Sequence, residues 1–262
     1  MSHWSAALLG AVAGFTIFIG LPVARLRGLS KPVQGFLNAI ATGVLVFLLW
    51  DILTHAATPV EAALGNQHRG IGSGFWLLAA IFGTGLGVGL LALVYLNSHV
   101  LKRLRPAGGP PSPRLLSMMI ATGLGFHNLS EGLAIGQSAA TGAVAFAGVL
   151  VVGFALHNIT EGFGIAAPMS TAAQPVSWGF IGLTGLVGGG PTFLGTMIGY
   201  VATSPLFYVL FLALAAGALI YVLNELFAMG KRLSTPGIMG WGLAVGFLAA
   251  FSSDLFLTYL AG

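Results

Sequence analysis

Cysteine is absent from this chain of 262 residues, which excludes disulfides and thiolate metal sites and leaves the redox compartment undetermined. Charge is scarce as well: Asp, Glu, Lys and Arg together make up 6% of the residues, against 56% hydrophobic. That balance excludes an ordinary water-soluble domain, whose surface is covered by charged side chains. The ten basic and six acidic residues leave a net charge of +4. The basic ones fall in short loops between apolar segments, where they report topology, so nucleic acid is not an expected partner. No Lys or Arg precedes the first apolar run, which argues against a cleaved signal peptide.

Long apolar runs and 40 glycines fill the chain instead. Stretches of about 20 apolar residues, the length that spans about 30 Å of hydrocarbon, occur eight times. They are Trp4 to Ala24, Val33 to His55, Phe75 to Leu96, Leu115 to Ser138, Gly142 to Pro168, Ser177 to Val201, Leu206 to Met229 and Gly237 to Leu260. The expected fold class is an all-α polytopic membrane protein, a single domain covering residues 1–262. Trp4, Trp50, Trp76, Trp178 and Trp241 fall near span ends, as an interfacial aromatic belt requires.

Nine of the ten basic residues, Arg25, Arg27, Lys31, Lys102, Arg103, Arg105, Arg114, Lys231 and Arg232, follow odd-numbered spans, and only Arg69 falls on the other side. By the positive-inside rule those loops are cytoplasmic and both termini face outward. The longest loops, His55 to Gly74 and Asn97 to Pro113, are rich in Gly and Pro, and Pro106 to Pro113 reads as a cytoplasmic linker.

Five of the six acids, Asp51, Glu131, Glu161, Glu225 and Asp254, fall within spans or at their ends, and only Glu61 sits in a loop. A carboxylate in hydrocarbon costs several kcal/mol or more unless it has a partner. Two of these acids belong to a duplicated pattern, His127-Asn128-Leu129-Ser130-Glu131-Gly132 and His157-Asn158-Ile159-Thr160-Glu161-Gly162. On a helix, positions i and i+4 share a face and i+1 lies beside them. Each copy therefore presents a His, Asn, Glu triangle, and the short connection around Thr141 makes the two helices adjacent and antiparallel. Each triangle is near the middle of its span. Imidazole with carboxylate suits a borderline divalent ion, zinc above all, with iron, manganese, cobalt and cadmium as alternatives. Two carboxylates and one divalent ion also sum to zero charge. A lone His or Asn in a membrane helix reads as an interhelical hydrogen bond, and it is the duplication that points to a metal.

At these residues the chain resembles the ZIP family of divalent-metal transporters, of prokaryotic type. Helices four and five of that family carry His-Asn-x-x-Glu-Gly motifs, often with Pro where this chain has Ser130 and Thr160. Both hydroxyls can bond to a carbonyl one turn back and replace some of the bend proline would give. The resemblance implies eight helices in a 3+2+3 inverted-repeat arrangement, a cytoplasmic loop at about 97–113, and both termini extracellular in a cell membrane of bacterial inner-membrane type. It implies His127, Asn128, Glu131, His157, Asn158 and Glu161 as metal ligands, and transport of the ion toward the cytoplasm by an elevator or rocking motion. Divalent metal is then the substrate, no cofactor is expected, the lipid bilayer is the other partner, and a homodimer is left open.

One departure concerns helix six, where many family members carry an acid that bridges a second metal. Here the chain reads Gly188-Gly189-Gly190-Pro191-Thr192. Thr192 or Gly190 stands at the acidic position according to the alignment anchor, and a single tightly held metal is expected. The glycines mark either close packing or a helix break. Gly83, Gly85, Gly87 and Gly89 read as packing.

Asp51 and His55, another i, i+4 pair, with Asp254, are candidates for the outer entrance. Asn224 and Glu225 are candidates for the inner one, with a salt bridge from Glu225 to Lys231 or Arg232 as the plainer reading. His3, His68 and His99 read as loop histidines, His99 alternatively as part of a release path. Two other functions use the same residues. An intramembrane metalloenzyme would activate water on the metal, but no His-Glu-x-x-His or independent base is present, so enzyme activity is not expected. A metal sensor would need an output domain, and the sequence contains no segment that reads as one.

Overall fold

The structure, a computed structural model, describes all residues except Met1, Arg27, Ile71, Ser73, 102–110, Ala143, Thr203 and Gly262. Most of the expected linker and the basic residues Arg27, Lys102, Arg103 and Arg105 thus lie outside the described residues. What is described is helical throughout. In chain order the helices are α1 (His3–Phe15), α2 (Ile17–Gly20), α3 (Lys31–His68), α4 (Phe75–Tyr95), α5 (Pro113–Ala140), α6 (Val144–Met169), α7 (Trp178–Val201), α8 (Pro205–Leu233) and α9 (Pro236–Ala261). A 3-10 turn (Leu21–Arg25) extends α2, and a wide π-turn (Leu96–Leu101) extends α4.

Local chemistry sets the ends. Ser2, Ser112 and Ser177 cap α1, α5 and α7, each hydroxyl accepting from the backbone N–H three residues on, which satisfies one of the orphan donors of a helix start. Proline occupies the first turn of α3, α5 and α8, where its missing N–H is no loss. The interruption between α1 and α2 falls at Thr16. Its hydroxyl donates to the Ala13 carbonyl at 2.6 Å, and that carbonyl also accepts from the Asn158 amide at 2.9 Å.

Among the described residues, seven helices are long and apolar enough to cross a membrane: His3–Arg25, α3, the α4 helix with its π-turn, α6, α7, α8 and α9. α5 has 28 residues, ample length at 1.5 Å per residue. It falls short only in composition, because His127, Asn128, Ser130, Glu131, Gln137 and Ser138 dilute its apolar residues.

Two expectations need correction. The loop expected from His55 to Gly74 is helical as far as His68, which leaves only Arg69 to Gly74 as a connection. Residues 56–64 are mostly strong helix formers, and the helix continues past Pro59 with Thr54, His55 and Thr58 bonding back to the carbonyls of Trp50, Asp51 and Thr54. Trp50 consequently lies midway along α3 rather than at a helix end, although, like the other four tryptophans, it is exposed.

The helices form two groups. α5 packs most extensively on α7, with α1, α2 and α6 completing that group; α3 pairs with α9 and α4 with α8 in the other. Glycine permits backbone-to-backbone approach at nearly every crossing. The Gly run of α7 is packing, not a break. The helix is continuous through Pro191, and Gly189 lies directly against the backbone of Gly14. Gly85 and Gly89 likewise receive the backbone of α8, while Gly83 and Gly87 face open space.

Several crossings come in matching copies. Gly43 lies against the Leu243 carbonyl and Gly217 against that of Leu86; Gly246 meets Ile40, and Gly89 meets Leu214. Gly20 lies against Ile159, and Gly195 against Leu129. The Asn158 amide donates to the carbonyl of Ala13, and the Asn128 amide to that of Gly188.

Basic residues collect at one end of the bundle. Arg25 donates to the Val176 carbonyl at 2.8 Å and stacks over Trp178 at 5.2 Å, Arg114 donates to the Pro175 carbonyl, and Ser234, just after Lys231 and Arg232, packs on Gly35.

Candidate metal centre

α5 and α6 each bury one copy of the repeated motif, and Gly132 and Gly162, which follow the glutamates, set the distance. A side chain on Gly132 would strike the Thr192 carbonyl of α7, and one on Gly162 the Ile17 carbonyl of α2. Each motif helix is thereby held flush against a neighbour on one side, and its His and Glu are turned toward the other motif. His127, Asn128, Glu131, His157, Asn158 and Glu161 are all buried, Asn128, Asn158 and Glu161 completely.

His127 Nε2 lies 3.2 Å from Glu131 Oε1 and 3.9 Å from Glu161 Oε1, and His157 Nε2 is 3.9 Å from that same Glu161 oxygen. The imidazole centroids are 5.9 Å apart. Ligand atoms of His127, His157 and Glu161 all fall within 4.8 Å of one another. Two atoms bound tetrahedrally to one zinc at ordinary bond lengths are about 3.3 Å apart, so small rotamer adjustments could bring these three onto one ion, with Glu131 Oε1 beside them at 3.2 Å from His127 Nε2. His127 Nδ1 and Nε2, His157 Nε2, Glu131 Oε2 and Glu161 Oε1 are buried without a hydrogen-bond partner. Each such orphan costs about 1–3 kcal/mol, and a bound cation would satisfy imidazole nitrogens and carboxylate oxygens together.

The asparagines hold the frame. Asn128 Nδ2 contacts Glu161 Oε2 at 2.7 Å, Asn158 Oδ1 at 3.0 Å and the Gly188 carbonyl at 3.0 Å. Asn158 uses its own amide on Ala13 of α1. Glu161 is thus divided: Oε2 is fixed by Asn128 and Oε1 faces the imidazoles. The Asn158 side chain is fully engaged and Asn128 keeps only Oδ1 free, so of the six candidate ligands these two orient the others. Of the two motif hydroxyls, Thr160 bonds the His157 carbonyl at 2.7 Å, whereas Ser130 reaches Phe126 at only 3.5 Å.

A cavity of about 860 Å³ has His127, Glu131 and His157 in its wall, with Asp51, His55 and Asp254 farther along. It opens toward the α5–α6 turn at Thr141, the end away from the basic cluster. Asp51 and His55 pair at 3.2 Å. Tyr208, Gln137, Ser138, Thr54 and Thr258 also line it and were not singled out from the sequence, as does Trp50, which was read there only as part of the aromatic belt. A signal existed for part of this wall: Glu131, Ser138 and Thr141 continue the His127 face of α5 at helical spacing.

Thr192 is buried behind the site, not in the cavity wall; its hydroxyl has no partner and its carbonyl accepts from Thr196. Asn224 is exposed and Glu225 half-buried, and neither lines the cavity. Among the described residues no ion pair joins Glu225 to Lys231 or Arg232. His3 stacks edge-on against Tyr200 and His99 lies over Tyr95. In comparison with known proteins, no family model and no characterised relative matches the chain.

Proposed function

We propose that this protein is a ZIP-like carrier that moves divalent metal, zinc foremost, across a cell membrane toward the cytoplasm. The observation that carries the reading is the buried group of unpartnered ligand atoms from His127, His157, Glu131 and Glu161 beside a cavity lined by Asp51 and Asp254. Two carboxylates balance one divalent ion, and neutral imidazoles complete four ligands. With basic residues gathered at the opposite end, the positive-inside rule turns the cavity outward and puts both termini outside.

The reading takes α5 as the eighth span, sheltered from lipid by the helices around it. It takes the matched crossings as the mark of inverted repeats, α1 to α4 with α7 to α9, about the α5–α6 pair. The two helix groups supply the bodies that move past each other. α7 offers no carboxylate to the site, so the charge count favours one metal at a time.

Radiotracer uptake of zinc, iron, manganese and cadmium into proteoliposomes is the test. Zinc uptake by the wild type, lost in Glu161→Ala and His157→Ala variants that still insert, is the expected result. Wild-type uptake by both variants would move the substrate path elsewhere.

A further inference from the structure

Two helices meet the motif pair in one register. Gly20 lies against the Ile159 carbonyl and Gly195 against that of Leu129, while Gly162 faces the Ile17 carbonyl and Gly132 that of Thr192. Gly10 and Gly185 meet Thr196 and Leu21, and Gly14 and Gly189 touch each other. One constant spacing relates each α1–α2 residue in these pairs to its α7 counterpart. Under it Ala13 corresponds to Gly188, and these two carbonyls take the amides of Asn158 and Asn128. Thr16 corresponds to Pro191, and there the two sides differ. The Thr16 hydroxyl donates to the Ala13 carbonyl at 2.6 Å, whereas proline has no hydroxyl to offer Gly188. The helix is interrupted at Thr16, while α7 runs unbroken through Pro191.

A chain of hydrogen bonds runs from that interruption to the metal centre. The Ala13 carbonyl accepts from Asn158 Nδ2 at 2.9 Å, Asn158 Oδ1 accepts from Asn128 Nδ2 at 3.0 Å, and the same nitrogen donates to Glu161 Oε2 at 2.7 Å. Each link fixes the sense of the next, because a side-chain amide donates at one end and accepts at the other. A carbonyl at Ala13 requires the NH2 end of Asn158, which leaves its oxygen for Asn128. The NH2 end of Asn128 is thereby turned to Glu161, whose Oε1 remains for the imidazoles. Both asparagines are completely buried, so a broken link leaves a polar group unpaired. Thr16 acts at the first link. A threonine hydroxyl bonded back to the preceding turn bends the backbone and draws a carbonyl away from the helical ladder. The Ile19 N–H then closes a tight turn on the Thr16 carbonyl at 2.9 Å.

We propose that Thr16 is a positioning residue for the metal centre, holding Glu161 Oε1 toward His127 and His157 through Ala13, Asn158 and Asn128. This rests on the carrier reading, whose metal ligands it takes as given. Without the hydroxyl, the Ala13 carbonyl returns to the ladder of a straighter helix, and the Asn158 amide loses the acceptor that fixes its sense. Glu161 Oε2 is then held less firmly, and Oε1 is no longer presented in one direction. Thr16 is itself none of the proposed ligands, so its substitution removes no ligand atom.

The test is a mutant cycle read by metal binding to the purified full chain, with equilibrium dialysis for zinc and visible absorption for cobalt. Thr16→Val, which keeps the shape and removes the hydroxyl, should weaken zinc binding about 3- to 10-fold, less than the 10–100-fold typical of groups bonded directly to a ligand. It should also shift the absorption bands of bound cobalt, which report ligand geometry. Thr16→Ser restores the hydroxyl and should return both to the wild-type values. In an Asn158→Ala background the relay is already cut, so adding Thr16→Val should cost no more than about twofold. Thr16→Ala takes the place of Thr16→Val if the latter does not fold. Wild-type affinity and spectrum in Thr16→Val, an equal loss in Thr16→Ser, or the same fold-loss with and without Asn158 each overturn the relay and leave the metal centre intact. Failure of the wild type to bind either metal overturns the metal centre itself.

Discussion

α4 and α5 follow one another in the chain and both carry glycines at helical spacing, yet they occupy opposite environments. α4 lies in the most apolar stretch but one, and only 11% of its spanning window is buried; Trp76, Val88, Leu91 and Tyr95 point outward. α5 is too polar to qualify as a span by composition, and it is packed by α6, α7 and α8 with His127, Asn128, Ser130 and Glu131 all buried. In water the polar helix would be peripheral. Here the order is reversed, because lipid solvates apolar surface without loss while polar groups have partners only inside the bundle. Of these two helices, the one that carries the candidate site is the less apolar and the more buried.

The contrast is broken most severely at the proposed ligands. Glu161→Ala or His157→Ala should lower zinc affinity by more than about 100-fold, since loss of a supporting residue alone costs 10–100-fold; equilibrium dialysis of the purified protein measures it. Asn158→Ala comes next. With the α6–α1 tie gone but every metal-facing atom kept, affinity should fall about 10–100-fold, and an unchanged value would reduce the asparagine to plain packing. Zinc binding should also strengthen with rising pH, because imidazole and carboxylate bind metal only when deprotonated; flat affinity from pH 5 to 8 would contradict the ligand set.

Glycine variants sharpen the comparison within α4 itself. Gly89→Val drives a side chain into the Leu214 carbonyl and should destabilise the bundle by about 1–3 kcal/mol, read from thermal unfolding in detergent. Gly87→Ala, with nothing near it, should be neutral or slightly stabilising, because alanine favours the helix by about 1 kcal/mol. The smallest effect belongs to the outward face: Leu91→Ala should shift stability by no more than about 0.5 kcal/mol. A large loss there would mean that this face is covered, with a second copy of the chain as the obvious occupant.

The readable part of the site was the part written in side chains with a period. His127 and Glu131 are one turn apart, the set recurs in α6, and the helices had to be adjacent, so their convergence was legible. The carbonyls of Ala13 and Gly188, which the two asparagines seek, were not, because a backbone acceptor is the same in every residue and only an approaching partner selects it. The extension of α3 past His55 was missed for a related reason. Hydropathy reports where the apolar segment stops, whereas the backbone hydrogen bonds continue wherever helix formers follow.

Composition and pattern alone determined that the chain is helical and membrane-like, that its acids are concentrated within spans, and that two identical His, Asn, Glu triangles face a common target. All of these are local properties, fixed by residue type and helical geometry. Tertiary structure decided that Glu161 divides its oxygens between Asn128 and the imidazoles, that the glycines of α7 pack instead of breaking it, and that Asp51 and Asp254 share a cavity wall with His127. Those outcomes depend on which helix faces which at a separation of a few ångströms. That separation is set jointly by the small residues of two helices distant in sequence, so neither helix encodes it alone.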